Sequence, residues 1–448
     1  MGRKSHSSPL VLWANGQLVG SWTPPGRKPT ELRYEESWVK SPFGRPLSLS
    51  LPLPLVGHEP LRGAAVENYF ANLLPENQTI RRRLAQRYTA GSEATFDLLA
   101  AIGRDCVGAI QLLPVGENPE GFNRIDGTVL SEDDVAQLLR GTVAPPIPGQ
   151  HEVDADFRIS IAGAQEKTAL LWHEGRWMRP HGATPTTHIL KMPLGLVGNM
   201  QADMRTSVQN EWLCLKLLEG FGLPVARAAI ITFADHPAAL VVERFDRRLH
   251  KSGKSILRLP QEDFCQVLGV NPLRKYEADG GPGVEQLAAV LHSSSKARAD
   301  LKTLLQAQVL FWLMAATDGH AKNFSIHLLA GAAFELTPLY DVLSAWPIIG
   351  RGKNQLSSHH AKLAMAVSGK NRHYELTTIM RRHFNATAAR CGWGDNAEDL
   401  IGELLARLEP AIDGAAKQLP TGFPEDVAHS IFNGMRAQAR RLQQRPLA

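Results

Sequence analysis

Asp318 and Asn323 stand five positions apart in "ATDGHAKNF", as D-x-x-x-x-N, between the apolar flanks "FWLMA" and "SIHLL". Polar groups set between apolar flanks lose hydration and need partners, so such a cluster is either a well-bonded turn or a site. Transfer of a phosphoryl group calls for this combination: an acid to accept a hydroxyl proton, and an amide oxygen to hold a magnesium ion. A second magnesium ligand is needed, and a carboxylate is the natural hard donor. Asp341 in "FELTPLYDVLSAW", eighteen residues past Asn323, supplies one. Alone, each acid reads as a turn or cap residue; together they read as a site.

The Asp-to-Asn spacing is that of a protein-kinase catalytic loop. The Asp-Phe-Gly triplet is absent, and Tyr340-Asp341-Val342 takes that place. Lys191 ends the strand-like "THILKM", where a lysine could reach nucleotide phosphates, although a strand-end lysine in water is the ordinary alternative. Glu211, twenty residues on, is either the lysine's partner or a first-turn acid favoured by the helix dipole. Backbone groups of Glu243, Arg244 and Phe245 in "VVERFDR" could bind adenine, or the run is plain buried strand. "RISIAGAQEKTALL" offers Ala162, Gly163, Ala164, Gln165, Glu166 and Lys167 as a loop of backbone N–H groups for phosphate, with only one glycine. His320 could orient Asp318, touch phosphate or be structural. Lys322 reads mainly as a solvated loop charge with a smaller role near the γ-phosphate, and Ala321 lies between them.

These groups need a frame. The 448 residues suffice for two or three domains. The first hundred or so residues read as β-rich, with a hairpin turn at Asn15-Gly16, a strand at Pro46–Leu55 and a helix in "GAAVENYFANLLPE". Residues 141–156, rich in Pro and Gly, read as linker. Beyond Pro260 the periodicity is mostly helical. No apolar run approaches the roughly 20 residues of a membrane span. Four scattered cysteines without CxxC spacing fit reduced thiols in the cytoplasm. The net charge of 49 − 44 = +5 permits nucleic-acid contact without requiring it.

The ordered motifs "FRISIAGAQEKTALLW", "TPTTHILKMP", "VVERFDRR", "LRLPQEDFCQVLG", "YEADGGPG", "ATDGHAKNFS" and "LTPLYDVLSAWP" resemble the HipA family over nearly the whole chain. That family comprises serine/threonine-protein kinase toxins of bacterial type II toxin–antitoxin systems. The resemblance implies an α+β, two-lobed protein-kinase-like fold with a β-rich N-terminal lobe and an all-helical C-terminal lobe. The expected division is an N-terminal subdomain over 1–115, a linker over 116–156, a nucleotide-binding core over 157–259 and a catalytic lobe over 260–448.

It further implies ATP and Mg2+ as cofactors, Asp318 as base, Asn323 and Asp341 as metal ligands, and Lys191 on the phosphates. Residues 162–167, Glu243–Phe245, His320–Asn323 and Tyr340–Asp341 would line the nucleotide pocket. Ser160 stands where the family autophosphorylates as an off-switch. The implied target is a protein serine, for instance in glutamyl-tRNA synthetase, with growth arrest as the outcome. A HipB-like helix-turn-helix antitoxin and operator DNA are the implied partners. Arg381 and Arg382 could touch DNA phosphates, although a solvated helix face explains them as well. The competing reading is a catalytically idle co-repressor acting only through a DNA-binding partner. A small-molecule kinase, which D-x-H-x-x-N alone would allow, fits the long N-terminal segment poorly.

Overall fold

The computed structural model describes residues 8–26, 29–54, 59–143, 160, 165, 167–198 and 200–444. The N-terminal part is a five-stranded antiparallel sheet in the order Leu61–Arg62, Glu31–Tyr34, Gln17–Thr23, Leu10–Ala14, Ile110–Pro114. Its hairpin turns at Asn15 and Gly16 with φ of 47° and 80°, the left-handed pair that such a tight turn needs. The helices Ala64–Ala71, Gln78–Arg87 and Thr95–Ile102 accompany the sheet. Trp22 stacks on Phe70 at 3.8 Å in the core between them. Residues 46–54 form no strand, only a bridge between Ser48 and Leu51. Prolines withhold N–H groups from a ladder, and Ser48 and Ser50 instead donate to the Gln266 carbonyl.

The second sheet has six strands, in the order Ala228–Ile231, Ala239–Glu243, His188–Lys191, Lys167–His173, Arg176–Pro180, Gly127–Val129. Its last strand and the helix Glu132–Val143 come from the stretch 116–156 that was expected to be linker. That helix brings Val135, Ala136 and Leu139 onto Leu170 and Leu190, so an apolar helical stripe holds it to the sheet. The Pro- and Gly-rich residues 144–156 lie outside the described residues. The helix Ser207–Gly220 shares a core with Leu240 and Val242 of the same sheet.

The C-terminal lobe centres on Ala297–Met314, a helix buried on nearly every side, with Glu398–Ala416 and Glu425–Gln443 against it. It is not all-helical. Gln261–Asp263, Ser325–Leu328 and Phe334–Leu336 form a three-stranded sheet, and Lys362–Ser368 pairs with Arg372–Glu375. The apolar run "KLAMAVS" is buried from its second residue onward, a pattern that short buried strands share with buried helices.

A buried ionic cluster joins the N-terminal part to the rest of the chain. Asp105 pairs with Arg247 and Arg258 at 3.0 Å and with Arg244 at 3.3 Å, while Asp246 pairs with Arg244 and Arg247 at 2.9 Å. All five side chains are buried, and Thr186 Oγ1 completes Asp105 at 2.6 Å. Such a cluster holds because each charge has several partners; removing one leaves the others stranded. All four cysteines are buried and free. Among the described residues no helix is long and apolar enough to cross a membrane.

Candidate active site

The central helix ends at Ala315 in the left-handed region, φ 50°, which turns the chain sharply into Thr317–Asn323. Gly319 follows because a Cβ there would sit 2.5 Å from the Phe311 ring. Asn323 then donates its amide to the Asp318 carbonyl at 2.8 Å and to the Asp341 carbonyl at 3.3 Å. Those two bonds fix the amide, so its oxygen points away from both carbonyls. The loop is braced from below by Tyr340, whose hydroxyl donates to the Lys322 carbonyl at 2.8 Å. Tyr340 therefore supports the loop with its phenol.

Lys191 connects the sheet to this loop. Its ammonium donates to Glu211 at 2.7 Å and to Asp341 at 2.8 Å. Glu211 is thus the lysine's partner, and the first-turn alternative falls away. Burial opposes the charge on Lys191, but Asp341 and Glu211 together raise it above its ordinary value. Burial would also raise Asp341, yet Lys191 and Lys167 hold its carboxyl well below the usual range. Glu211 moves up to about 7 because burial, aided by Asp341, outweighs Lys191. Asp341 has φ 60°, a region that non-glycine residues avoid and that accumulates at functional sites. Lys167 lies across from Lys191 on the neighbouring strand, and burial lowers it to about 8.

Asp318 stands at the mouth of the cleft with its side chain 58% exposed. The surrounding protein raises its carboxyl, an effect opposed by a hydrogen bond from Tyr276. His320 does not hold it: its Nε2 is 3.9 Å from Asp318, and burial drives the imidazole down to about 3, into the neutral form. His320 Nδ1 is buried and has no hydrogen-bond partner among the described residues.

Lys322 is not a solvated charge. It is buried and donates to Asp263 at 2.7 Å and to Asn72 Oδ1 at 2.8 Å. Arg244 likewise gives its guanidinium to the ionic cluster, so only its backbone borders the cleft. Among Glu243–Phe245, the N–H of Glu243 serves the Arg227 carbonyl and that of Arg244 the Thr187 carbonyl. Ile189, Leu215 and Val242 give this end of the cleft its apolar wall. Gln165 donates to the Met192 carbonyl at 2.5 Å, whereas Ala162, Gly163, Ala164 and Glu166 lie outside the described residues. Ser160 is fully buried; its hydroxyl donates to the Leu73 carbonyl at 2.7 Å and its N–H to the Asp105 carbonyl at 3.1 Å. Arg381, far from the cleft, is spent on Glu398 and the Leu442 carbonyl, while Arg382 is exposed.

The residues that sequence reasoning missed come largely from outside the kinase-like motifs. Asn72, Leu73 and Glu76 of the N-terminal part line the cleft, as do Asp263 and Lys275. Asp263 and Tyr276 stand inside the quoted motifs "LRLPQEDFCQVLG" and "YEADGGPG", which were the available signal. Asn72 and Glu76 carried none, because their use depends on how two domains dock.

The oxygen donors suit a hard cation: an ionised Asp341 and an amide held with its oxygen free. Among the described residues no cluster of three His, Cys, Asp or Glu side chains offers a softer metal site.

The chain is similar to known proteins over most of its length. The model of the HipA-like C-terminal domain matches residues 159–412, and that of the HipA N-terminal domain matches residues 10–113. The Sinorhizobium fredii protein Y4mE is 33% identical over 339 residues, 75% of this chain and 77% of its own length. The serine/threonine-protein kinase toxin HipA of Shewanella oneidensis is 29% identical over 327 residues, 70% of this chain and 69% of its own. The solved complex of Shewanella oneidensis HipA with HipB and operator DNA has a chain of the same fold. It superposes with a TM-score of 0.76 at 24% identity, over 97% of both chains. The two-lobed architecture, the paired domain matches and the converging Lys191, Asp318, Asn323 and Asp341 lead to one conclusion: this chain belongs to the HipA family of serine/threonine-protein kinase toxins.

Proposed function

We propose that this chain transfers the γ-phosphate of ATP to a serine of a target protein. The observation that carries the reading is the junction of Lys191 with both Glu211 and Asp341, beside an Asn323 whose amide bridges to Asp318 and Asp341. Bound magnesium would draw charge off the transferring phosphate, with Asn323 and Asp341 as the side chains to hold it. Lys191 binds the nucleotide phosphates, with Lys167 beside it. The apolar wall around Ile189 and Val242 receives adenine against the backbone of Glu243–Phe245. Asp318 takes the proton of the acceptor hydroxyl. Its carboxylate is the most exposed group of the set, open to an incoming protein.

The target in this reading is an aminoacyl-tRNA synthetase such as glutamyl-tRNA synthetase, whose modification arrests growth in the cytoplasm. A HipB-like antitoxin would neutralise the kinase and carry it to operator DNA, since the Shewanella oneidensis relative is found in such a complex. Autophosphorylation of Ser160 is the off-switch. A phosphate of nearly two negative charges has no room at a fully buried hydroxyl, so its installation would drive the segment out.

Asp318→Gln tests the reading. With labelled ATP and bacterial lysate protein as acceptor, transfer should fall by about 100-fold or more while nucleotide binding persists. Phosphopeptide mass spectrometry of the same reactions identifies the acceptors. Unchanged transfer by Asp318→Gln would remove Asp318 from the mechanism. An inactive wild-type chain that still represses its operon would favour the idle co-repressor.

A further inference from the structure

The motif "YEADGGPG" has no part in the reading above, yet it builds a rigid loop at the mouth of the cleft. Gly281 donates its N–H to the Tyr276 carbonyl at 2.9 Å. A Cβ at Gly281 would lie 1.9 Å from the Arg274 carbonyl oxygen and 2.7 Å from that of Tyr276, so only glycine closes the loop. Glu277, buried within it, accepts from the Ala366 N–H at 2.6 Å and pairs with Arg372. The product of this construction is a fixed Tyr276. Its ring meets His320 edge-on at 5.0 Å, and its hydroxyl donates to Asp318 Oδ1.

Asp318 needs that bond. The side chain is largely open to solvent, and His320 is too distant to hydrogen-bond. Among the described residues Tyr276 is the hydrogen-bond donor to the carboxylate. With Oδ1 engaged, the carboxylate plane is set and Oδ2 is left for the acceptor hydroxyl.

The loop in turn leans on the N-terminal domain. Lys275 pairs with Glu76 at 3.2 Å, and Asn271 donates to Asn68 at 3.1 Å. Asn72 donates to the Val270 carbonyl at 2.9 Å. Glu76 Oε1 is buried and has no hydrogen-bond partner among the described residues, so this carboxylate depends on the cations of Lys275 and Lys322.

We infer that Tyr276 is a positioning residue for Asp318, and that the N-terminal domain holds it in place through the Glu76–Lys275 contact. The inference rests on the kinase reading of Asp318. It makes the N-terminal domain part of the machinery that orients the base.

The test measures label transfer from ATP to bacterial lysate protein, with ATP varied at fixed lysate. Tyr276→Phe keeps the ring and removes the hydroxyl. It should lower apparent kcat by about tenfold, with KM for ATP and the melting temperature unchanged. Glu76→Gln should lower kcat in the same direction by a smaller factor. The double variant should be no slower than Tyr276→Phe alone, the non-additivity expected of one chain of contacts. Asp318→Gln is the control. If it is inactive while Tyr276→Phe runs at the wild-type rate, the inference fails and the kinase reading stands. If Asp318→Gln is fully active, the kinase reading fails. A Tyr276→Phe defect that appears equally in KM for ATP and in melting temperature would make Tyr276 merely structural. An additive double variant, or Glu76→Gln at the wild-type rate, would overturn the domain link.

Discussion

Lys322 donates to Asn72 across the domain boundary, at 2.8 Å from ammonium to amide oxygen, only four residues after Asp318. The loop that carries Asp318 is therefore bonded directly to the N-terminal domain. The same ammonium pairs with buried Asp263, whose carboxyl burial raises and Lys322 brings down only in part. Lys322→Met should strand Asp263 and cost about 3 kcal/mol or more of stability. A thermal unfolding scan checks this; an unchanged melting temperature would show that the contact carries no load.

Lys191 holds two carboxylates, so its loss has two effects. Lys191→Met should weaken ATP binding by at least about tenfold and lower the melting temperature, because Glu211 and Asp341 would then repel each other in a buried site. Glu211→Gln keeps a hydrogen-bonding group there and should be milder in stability than Lys191→Met. Calorimetric titration with magnesium-ATP, together with unfolding, separates the two effects.

Acid sensitivity follows from the joint. Burial alone would raise Asp246, but Arg244 and Arg247 override it and bring the carboxyl down to about 2; Asp105 is lowered as well, by Arg247, Arg258 and Arg244 against its burial. Carboxyls depressed in the folded state stabilise it fully above about pH 4 and lose that contribution as pH falls toward 2. For Asp246 this is on the order of 2 kcal/mol. Melting temperature should drop steeply between pH 4 and pH 2, a range set by these shifts. Asp246→Asn should be less stable at pH 7 and less sensitive to acid; an equally steep acid limb in that variant would assign the sensitivity elsewhere.

Ser160 distinguishes two small substitutions. Ser160→Ala forfeits one hydrogen bond to the Leu73 carbonyl, worth about 1 kcal/mol, and should transfer phosphate to lysate protein while taking none on itself at that position. Ser160→Glu puts a carboxylate beside a carbonyl with no donor in reach of its former partner, and should bind ATP more weakly than Ser160→Ala. Equal ATP affinities in the two variants would argue against expulsion of the segment by charge.

Much of this was legible in the chain itself. The strand-like run ending at Lys191 and the helical period beyond Pro260 correspond to His188–Lys191 and the central helix, because each carries a strong local pattern. The spacing of Asp318, Asn323 and Asp341 pointed to one cluster, and the turn from the central helix into Ser325–Leu328 puts the Asn323 amide on the backbone of both acids. The strand Gly127–Val129 escaped notice because three residues carry no period, and the helix after it was hidden by the Pro-rich stretch beside it. Lys322 was misread for another reason. Nothing local reveals whether a cation meets water or a carboxylate from 59 residues away. Tyr276 belongs to the same class: its partner is 42 positions distant.

The joint built from Asp105 and the three arginines restricts how this protein can be recombined. In a chimera whose foreign N-terminal module lacks an acid at the place of Asp105, Arg244 and Arg247 would keep Asp246 alone and Arg258 would lose its carboxylate, all inside a buried seam. Such a hybrid should assemble poorly even if each half is sound, so the two modules are constrained to be inherited as a matched set.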